Sequence, residues 1–189
     1  MQVAGRMLQS GVALLRRRLG LVRTVALRAA MALSQRERIC GIEVVDLTRD
    51  KDAGAVFGKV RDALCLISNA DPRRLDRIRG DARRLAVAAL GEAAGEWWQD
   101  LRAIAIDRRH AERQTTAAVA MTLVHEATHA RIQRRGVRYR PGIRERVERV
   151  CVAQEIEFAM RVPGTEALIK GARLKLEKRW WEQHRSTGP

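Results

Sequence analysis

Two histidines with a glutamate between them are the residues of this chain whose types and spacing point most directly to chemistry. Residues 124–130 read Val-His-Glu-Ala-Thr-His-Ala and place His125, Glu126 and His129 in the pattern H-E-x-x-H. In a helix, residues four apart lie one above the other, so both imidazoles can bind one cation, with Glu126 about 100° around the helix. Because the chain has only 4 histidines, we interpret this pair as Zn²⁺ ligands rather than as ordinary surface histidines.

A third zinc ligand is expected from the next helix. A catalytic zinc usually has three protein ligands and an open position for water. The helix that begins near Pro141 carries four glutamates, which are Glu145, Glu148, Glu155 and Glu157. Glu148 and Glu155 are seven apart and flank the apolar face formed by Val147, Val150 and Cys151, which should pack toward the H-E-x-x-H helix. On these grounds Glu148 or Glu155 is the ligand, and Glu155 can instead bind a ligand histidine's second ring nitrogen.

In these residues the sequence resembles the gluzincin metallopeptidases, including their compact members. In that family the H-E-x-x-H helix is followed by a helix that supplies a glutamate ligand. Glu148 lies 19 positions after His129, with 18 residues between them, a spacing similar to that of the aminopeptidase branch. The resemblance covers roughly residues 101–159 and implies that Glu148 is the third ligand. It also implies an α+β, zincin-like fold, in which a small sheet supports an active-site helix and a glutamate helix.

Two positions depart from the gluzincin pattern or are notable within it. Arg131 stands two residues after His129, where zincins favour an apolar residue. Cys151 lies three residues after Glu148, where the aminopeptidase branch often has a small residue. The sequence is also similar to an uncharacterised bacterial group of small H-E-x-x-H proteins, and that similarity implies no particular substrate.

The resemblance implies zinc-dependent hydrolysis of peptide bonds. Zinc would polarise the scissile carbonyl, while Glu126 acts as the general base on the bound water. Tyr139, the only tyrosine, lies in the connector between the two helices and is a candidate oxyanion stabiliser, against a plain packing role. His110 is a weaker candidate for the same task. Arg144 could bind a substrate carboxylate, although a solvated surface role is the simpler interpretation.

The elements that must position these residues follow from the periodicity of apolar side chains. Short β-branched or apolar runs predict three strands, at residues 41–47, 85–90 and 101–106. Spacings of three and four predict five helices, at residues 53–67, 72–78, 112–133, 141–162 and 165–183. We expect the strand near Ala103 to Ile106 to be an edge strand that receives an extended peptide. The pairs Trp97-Trp98 and Trp180-Trp181 are expected to anchor domain edges or a partner surface.

Residues 1–36 form a segment without acidic side chains, since Glu37 is the first acidic residue. Apolar residues recur along it at helical spacing, at Leu8, Val12, Leu15, Leu19, Val22, Ala26 and Leu33. Such a basic amphipathic helix can pack on the domain with its arginines exposed, or lie on an anionic membrane surface. A cleaved export signal is a third alternative, because Arg16-Arg17-Arg18 precedes an apolar stretch and Ala30-Met31-Ala32 is typical of a cleavage site.

Length and composition set the remaining bounds. The 189 residues correspond to one domain, residues 37–189, after the basic segment, and 46% hydrophobic content is enough for a core. Three scattered cysteines do not make a disulfide framework, and no apolar run is long enough to span a bilayer. We therefore expect a cytoplasmic protein, with peripheral attachment to the inner membrane as an option.

A non-catalytic function is the competing hypothesis. The formal net charge of +15 can attract anionic lipid or nucleic acid. A zinc-containing binding protein on a membrane or nucleic acid would have this charge, although nothing in the sequence resembles a nucleotide-binding loop. Retention of Glu126 favours the enzyme, whose partner is a peptide or protein substrate, because zinc binding alone needs only the two histidines and a third ligand.

Overall fold

The computed structural model describes residues 22–48 and 53–178. Within these residues the chain forms seven α-helices, five β-strands and a 3-10 turn at Gln99–Leu101. In chain order they are α1 (22–33), β1 (Gln35–Ile39), β2 (Ile42–Asp46), α2 (Ala53–Ala70), α3 (Pro72–Asp81), β3 (Arg84–Ala88), β4 (Gly95–Trp98), β5 (Ala103–Asp107), α4 (Arg108–Arg113), α5 (Thr116–Arg134), α6 (Pro141–Ala159) and α7 (Glu166–Glu177). The predicted α+β class with a small sheet is confirmed.

The five strands form one mixed sheet in the order β1-β2-β3-β5-β4. The three inner strands β2, β3 and β5 are parallel, and the two outer strands β1 and β4 are antiparallel to their neighbours. Their register aligns Val44, Leu85, Ile104 and Trp97 across the sheet. Parallel strands need crossover connections, and here α2 and α3 connect β2 to β3.

The two faces of the sheet are covered by different helices because side chains alternate along each strand. On one face, Val44, Leu85 and Ile104 pack with α2 and α5 in the main hydrophobic core. On the opposite face, small residues of β2, β3 and β5 form a second cluster with Met31 of α1. Helix α5 therefore lies between the sheet and α6, within the main core.

The edge strand that the structure shows is β4, and the prediction that the strand near Ala103 to Ile106 lies at the edge is wrong. Strand β5 lies between β3 and β4, and all 5 of its residues are buried. The sequence analysis missed β4 because Gly95 ends a turn-prone stretch and the two tryptophans did not read as a strand. In fact Trp97 packs on the main core and Trp98 on the second cluster, as alternation along a strand requires.

Other element boundaries differ by a few residues. Strand β1 begins at Gln35, inside the predicted basic segment 1–36. The predicted helix 112–133 is two helices, since the Thr115 side chain accepts a hydrogen bond from Ala118 N and caps a new helix, α5. The predictions for residues 1–21 and for Trp180-Trp181 lie outside the described residues.

Helix α1 packs on the sheet through a different side than the one expected. Met31 is 1% exposed and packs on the second cluster, whereas Val22 and Leu33 of the expected apolar stripe are 66% and 82% exposed. Polar contacts also hold α1, since Arg28 donates to the backbone oxygen of Asp100 at 3.2 Å. Among residues 22–48 and 53–178, no helix combines the length and apolar character needed to cross a membrane.

Candidate metal centre

Helix α5 presents both histidines of the H-E-x-x-H pattern on one side. The Nε2 atoms of His125 and His129 lie 3.1 Å apart, and their ring centroids are 4.9 Å apart. Both rings are largely buried, with side-chain exposures of 8% and 14%. The spacing of four residues in a continuous helix is the local reason that the two rings converge.

Glu148 of α6 faces these two rings. Its Oε2 lies 3.3 Å from His125 Nε2, and its Oε1 lies 3.7 Å from His129 Nε2. A tetrahedral zinc with ligand distances of about 2.0–2.1 Å has ligand atoms about 3.3 Å apart. The three side chains therefore fit a zinc ion with little rearrangement.

One carboxylate oxygen of Glu148 has no hydrogen-bond partner. Glu148 is 4% exposed, and its buried Oε2 accepts no hydrogen bond, although it points at His125. Burial raises the pKa of this carboxyl, but His125, His129 and Tyr139 together lower it to about 2, so it is ionised. An ionised oxygen buried without a donor is expensive, and a cation among these side chains would satisfy it.

Glu155 contacts the other side of the His125 ring. Its Oε1 is hydrogen-bonded to His125 Nδ1, and Glu155 is 5% exposed. A carboxylate on Nδ1 keeps the proton there and leaves Nε2 directed at the metal position. Of the two roles that the sequence left open for Glu155, the geometry matches that of a partner to a ligand histidine.

The other two glutamates of α6 are not brought to the histidines. Glu145 forms an ion pair with Arg149 at 3.0 Å, and its side chain is 44% exposed. Glu157 forms an ion pair with Arg161 at 3.0 Å, and its side chain is 49% exposed. Both lie on the solvent side of α6.

The two ring systems have opposite pKa shifts. Burial lowers the pKa of His125, but the carboxylates of Glu148 and Glu155 more than compensate and raise it to about 10. Burial and the charge of His125 lower the pKa of His129 to about 4. His129 is therefore neutral and ready to bind a metal, whereas His125 holds a proton that a metal must displace.

Glu126 lies next to the histidines under the edge strand. It is 7% exposed, and burial, followed by the charges of Glu148 and Glu155, raises its pKa to about 7 despite the opposing effect of His125. A carboxyl group with a pKa near neutrality can both accept and donate a proton, which suits general acid–base catalysis. The backbone of β4 passes close above, because a Cβ at Gly95 would lie 2.9 Å from Glu126 Cγ.

Tyr139 lies beside the histidines but is bonded to a candidate ligand. Its hydroxyl donates to Glu148 Oε1, and its ring meets that of His129 edge-on, with centroids 5.6 Å apart. Tyr139 is 41% exposed. Burial and the Glu148 carboxylate raise the pKa of its hydroxyl, which therefore keeps its proton as a donor.

The remaining sequence candidates lie around this group of residues. His110 Nε2 lies 2.9 Å from the Thr122 hydroxyl, and burial lowers the pKa of this histidine. The positive charge of Arg144 lowers the pKa of both His129 and Tyr139, which places Arg144 near the mouth of the site.

Cys151 is a candidate ligand that the sequence analysis did not identify. It is 0% exposed, and its sulfur and one ring nitrogen each of His125 and His129 all lie within 4.8 Å of one another. Burial and then Glu148 raise the pKa of its thiol. The signal was available, because residues three apart share a helix face and Cys151 follows Glu148 by three.

Comparison with known proteins finds no family model, curated protein or solved structure that matches the chain. The gluzincin resemblance stays a prediction carried by His125, Glu126, His129 and Glu148. At the level of the structure, the chain is an α+β protein with a buried His-His-Cys group that could hold a metal ion.

Proposed function

We propose that this chain is a zinc-dependent metallopeptidase. The observation that carries the proposal is the convergence of two imidazole nitrogens and a buried carboxylate, 3.1–3.7 Å apart, beside a second buried carboxyl with a pKa near 7. Two histidines with one glutamate are a ligand set typical of catalytic zinc in peptidases. Zinc bound there would polarise a carbonyl and lower the pKa of its water to about 7.

The protein side chains divide the remaining work. Glu126 takes the proton of the attacking water and passes it to the leaving amine, since its environment allows both protonation states near neutral pH. Glu155 holds the His125 ring in position. Tyr139 supplies a hydroxyl donor next to the site, and it can stabilise an oxyanion if it exchanges Glu148 for the substrate.

Strand β4 is the proposed docking edge for the peptide. It is the outermost strand of the sheet on this side and lies directly over Glu126 through Gly95. An extended peptide that adds to this edge would bring a backbone carbonyl close to Glu126 and the two histidines. The substrate strand therefore follows residues 95–98 rather than residues 103–106.

Cys151 favours a second candidate function, a closed and non-catalytic zinc site. Structural zinc sites have four protein ligands, often including cysteine, and have no position for water. If zinc draws the Cys151 sulfur to within bonding distance while Glu148 stays bound, the coordination closes. The protein would then be a zinc-containing binding protein.

Metal analysis together with a peptide-library cleavage assay tests the proposal. The wild type and Glu126→Gln should each bind one zinc ion, while only the wild type cleaves peptides. The variant is expected to lose about 10²- to 10⁴-fold in turnover, because an amide cannot accept the proton. Equal cleavage by both proteins at equal zinc occupancy would remove Glu126 from the role of base.

Cobalt substitution separates the two candidate functions. A sulfur ligand gives Co²⁺ a charge-transfer band in the near ultraviolet, which Cys151→Ser would abolish. We expect no such band in the wild type and no zinc loss in Cys151→Ser. A strong band together with inactivity toward every peptide would favour the closed site.

A further inference from the structure

Helix α1 presents an apolar face to solvent. Six of its residues lie within about one third of the helix circumference, at 3.6 residues per turn. They are Val22, Val25, Ala26, Ala29, Ala32 and Leu33, and all six are exposed. The three largest, Val22, Val25 and Leu33, are 66%, 56% and 82% exposed. We call these six residues the outer face of α1; it carries no charged or polar side chain.

Packing on the domain does not explain the outer face. The opposite side of α1 already covers the sheet, where Met31 is 1% exposed in a cluster with Val45, Ala86, Ala103 and Ala105. A surface helix whose inner side is buried normally has polar residues on its other side. Here both sides are apolar, which marks the outer face as an interaction surface.

The charge around the outer face is entirely positive. Arg23 and Arg28 border it on its two sides, and the Arg23 side chain is 63% exposed. Residues 1–36 contain 7 arginines and no acidic residue. A surface of negative charge is therefore favoured as the partner, and a second copy of the same segment is disfavoured by repulsion.

The side-chain types distinguish a lipid surface from a protein partner. Protein interfaces concentrate their binding energy in large side chains such as Trp and Tyr, which fill pockets. The outer face offers only Val, Ala and Leu in a smooth strip, which suits the non-specific burial of apolar area between lipid acyl chains. Arginines at its borders suit the phosphates of the headgroups.

We propose that the outer face of α1 docks on an anionic lipid surface. Val22, Val25 and Leu33 enter the boundary between headgroups and acyl chains, while Arg23 and Arg28 bind the headgroups. Because α1 and α5 cover opposite faces of the sheet, this docking leaves the candidate metal centre directed away from the lipid. The proposal is independent of whether that centre is catalytic.

Vesicle co-sedimentation of the full chain tests the proposal. The vesicles are phosphatidylcholine alone, or phosphatidylcholine mixed with phosphatidylglycerol. The test variant is Val25→Asp/Leu33→Asp. The matched control is Met160→Asp/Leu174→Asp, which makes the same charge change at residues that are 68% and 42% exposed elsewhere. Thermal unfolding of both variants shows that each is folded.

The wild type and the control variant should bind the anionic vesicles, and added salt should weaken the binding. The outer-face variant should bind at least tenfold more weakly, and neutral vesicles should bind none of the three proteins well. Equal binding of the two variants would overturn the proposal, because the positive charge alone would then explain binding. A dimer in solution that Val25→Asp/Leu33→Asp dissociates would overturn it in favour of a second copy.

Discussion

Identical side chains of the candidate metal centre differ in protonation because their neighbours differ. His125 lies between Glu148 and Glu155, so its pKa is raised to about 10, while His129 is next to the charge of His125 and has a pKa of about 4. The same contrast separates Glu148, at about 2, from Glu126, at about 7. Residues with pKa values pushed apart in this way are typical of functional sites.

The pKa of His125 predicts that zinc binding releases a proton and tightens as pH rises. Below the raised pKa, zinc must displace the proton that His125 holds, so the apparent affinity should increase about tenfold per pH unit between about pH 6 and 8. Glu148 adds no proton, because its pKa of about 2 leaves it already ionised. Calorimetry in buffers of different ionisation enthalpy measures the number of protons released.

The same titration reports on Cys151. At about pH 8, where Glu126 is mostly ionised, one proton should be released, and Cys151→Ser should not change that number. Release of a second proton that the Ser variant lacks would identify the thiol as a ligand. A zinc affinity that does not vary with pH would contradict the assignment of the proton to His125.

Glu155→Gln should weaken zinc binding without abolishing it. Loss of the carboxylate on His125 Nδ1 lowers the basicity of the ring and loosens its orientation, effects that typically reduce metal affinity about 10- to 100-fold. Glu145→Gln is the matched control, because Glu145 on the same helix pairs only with Arg149 among its printed contacts on the exposed side. Competition with a chelator of known affinity measures both variants. Equal affinities for the two variants would show that Glu155 does not act through His125.

Among the elements, the contact between β4 and α5 sets the position of Glu126. At Gly95 the edge strand passes so close that a Cβ would lie 2.8 Å from Thr122 Cγ2, 2.9 Å from Glu126 Cγ and 3.3 Å from the Ala105 backbone oxygen. Glycine is needed here for close approach. Its lack of a side chain lets the strand lie directly on the active-site helix.

Gly95→Ala should therefore destabilise the fold and impair any activity of Glu126. Overpacking of this kind costs typically about 1–3 kcal/mol, because β4 or the Glu126 side chain must move. Urea unfolding and peptide cleavage measure the two effects. Gly171→Ala in α7 is the control, since a Cβ there meets nothing within 4 Å and alanine favours an exposed helix by about 0.4–1 kcal/mol. If both variants were equally stable, the close approach of β4 would be unimportant.

At the scale of the whole molecule, α1 belongs to the folded domain because it covers the second face of the sheet. Met31→Ala should cost about 2–5 kcal/mol of unfolding free energy, since it leaves a cavity against Val45 and Ala86. Leu33→Ala, two residues away and 82% exposed, should change stability by less than about 0.5 kcal/mol. Denaturant titration compares the pair, and similar small effects would mean that α1 is not packed on the sheet.

Much of the element order could be read from the sequence, since local patterns specify elements where they are long and regular. The helices at 53–70, 116–134 and 141–159 have apolar residues at helical spacing and turn residues at their ends. Strand β4 was missed because its 4 residues are half-buried and begin with a glycine. A short edge strand is specified mainly by its neighbour, and no local pattern shows which neighbour it has.

The helical spacing of His125 and His129 by itself determined that their rings share one side of α5, because a helix repeats every 3.6 residues. The sequence alone could not decide between Glu148 and Glu155. Tertiary packing decided it, since the angle at which α6 crosses α5 points Glu148 at both Nε2 atoms and Glu155 at Nδ1 of His125. The same packing brings Cys151 within reach of the histidines and leaves the outer face of α1 in solvent. Contacts between elements depend on how whole faces fit together, which no periodicity within one element specifies.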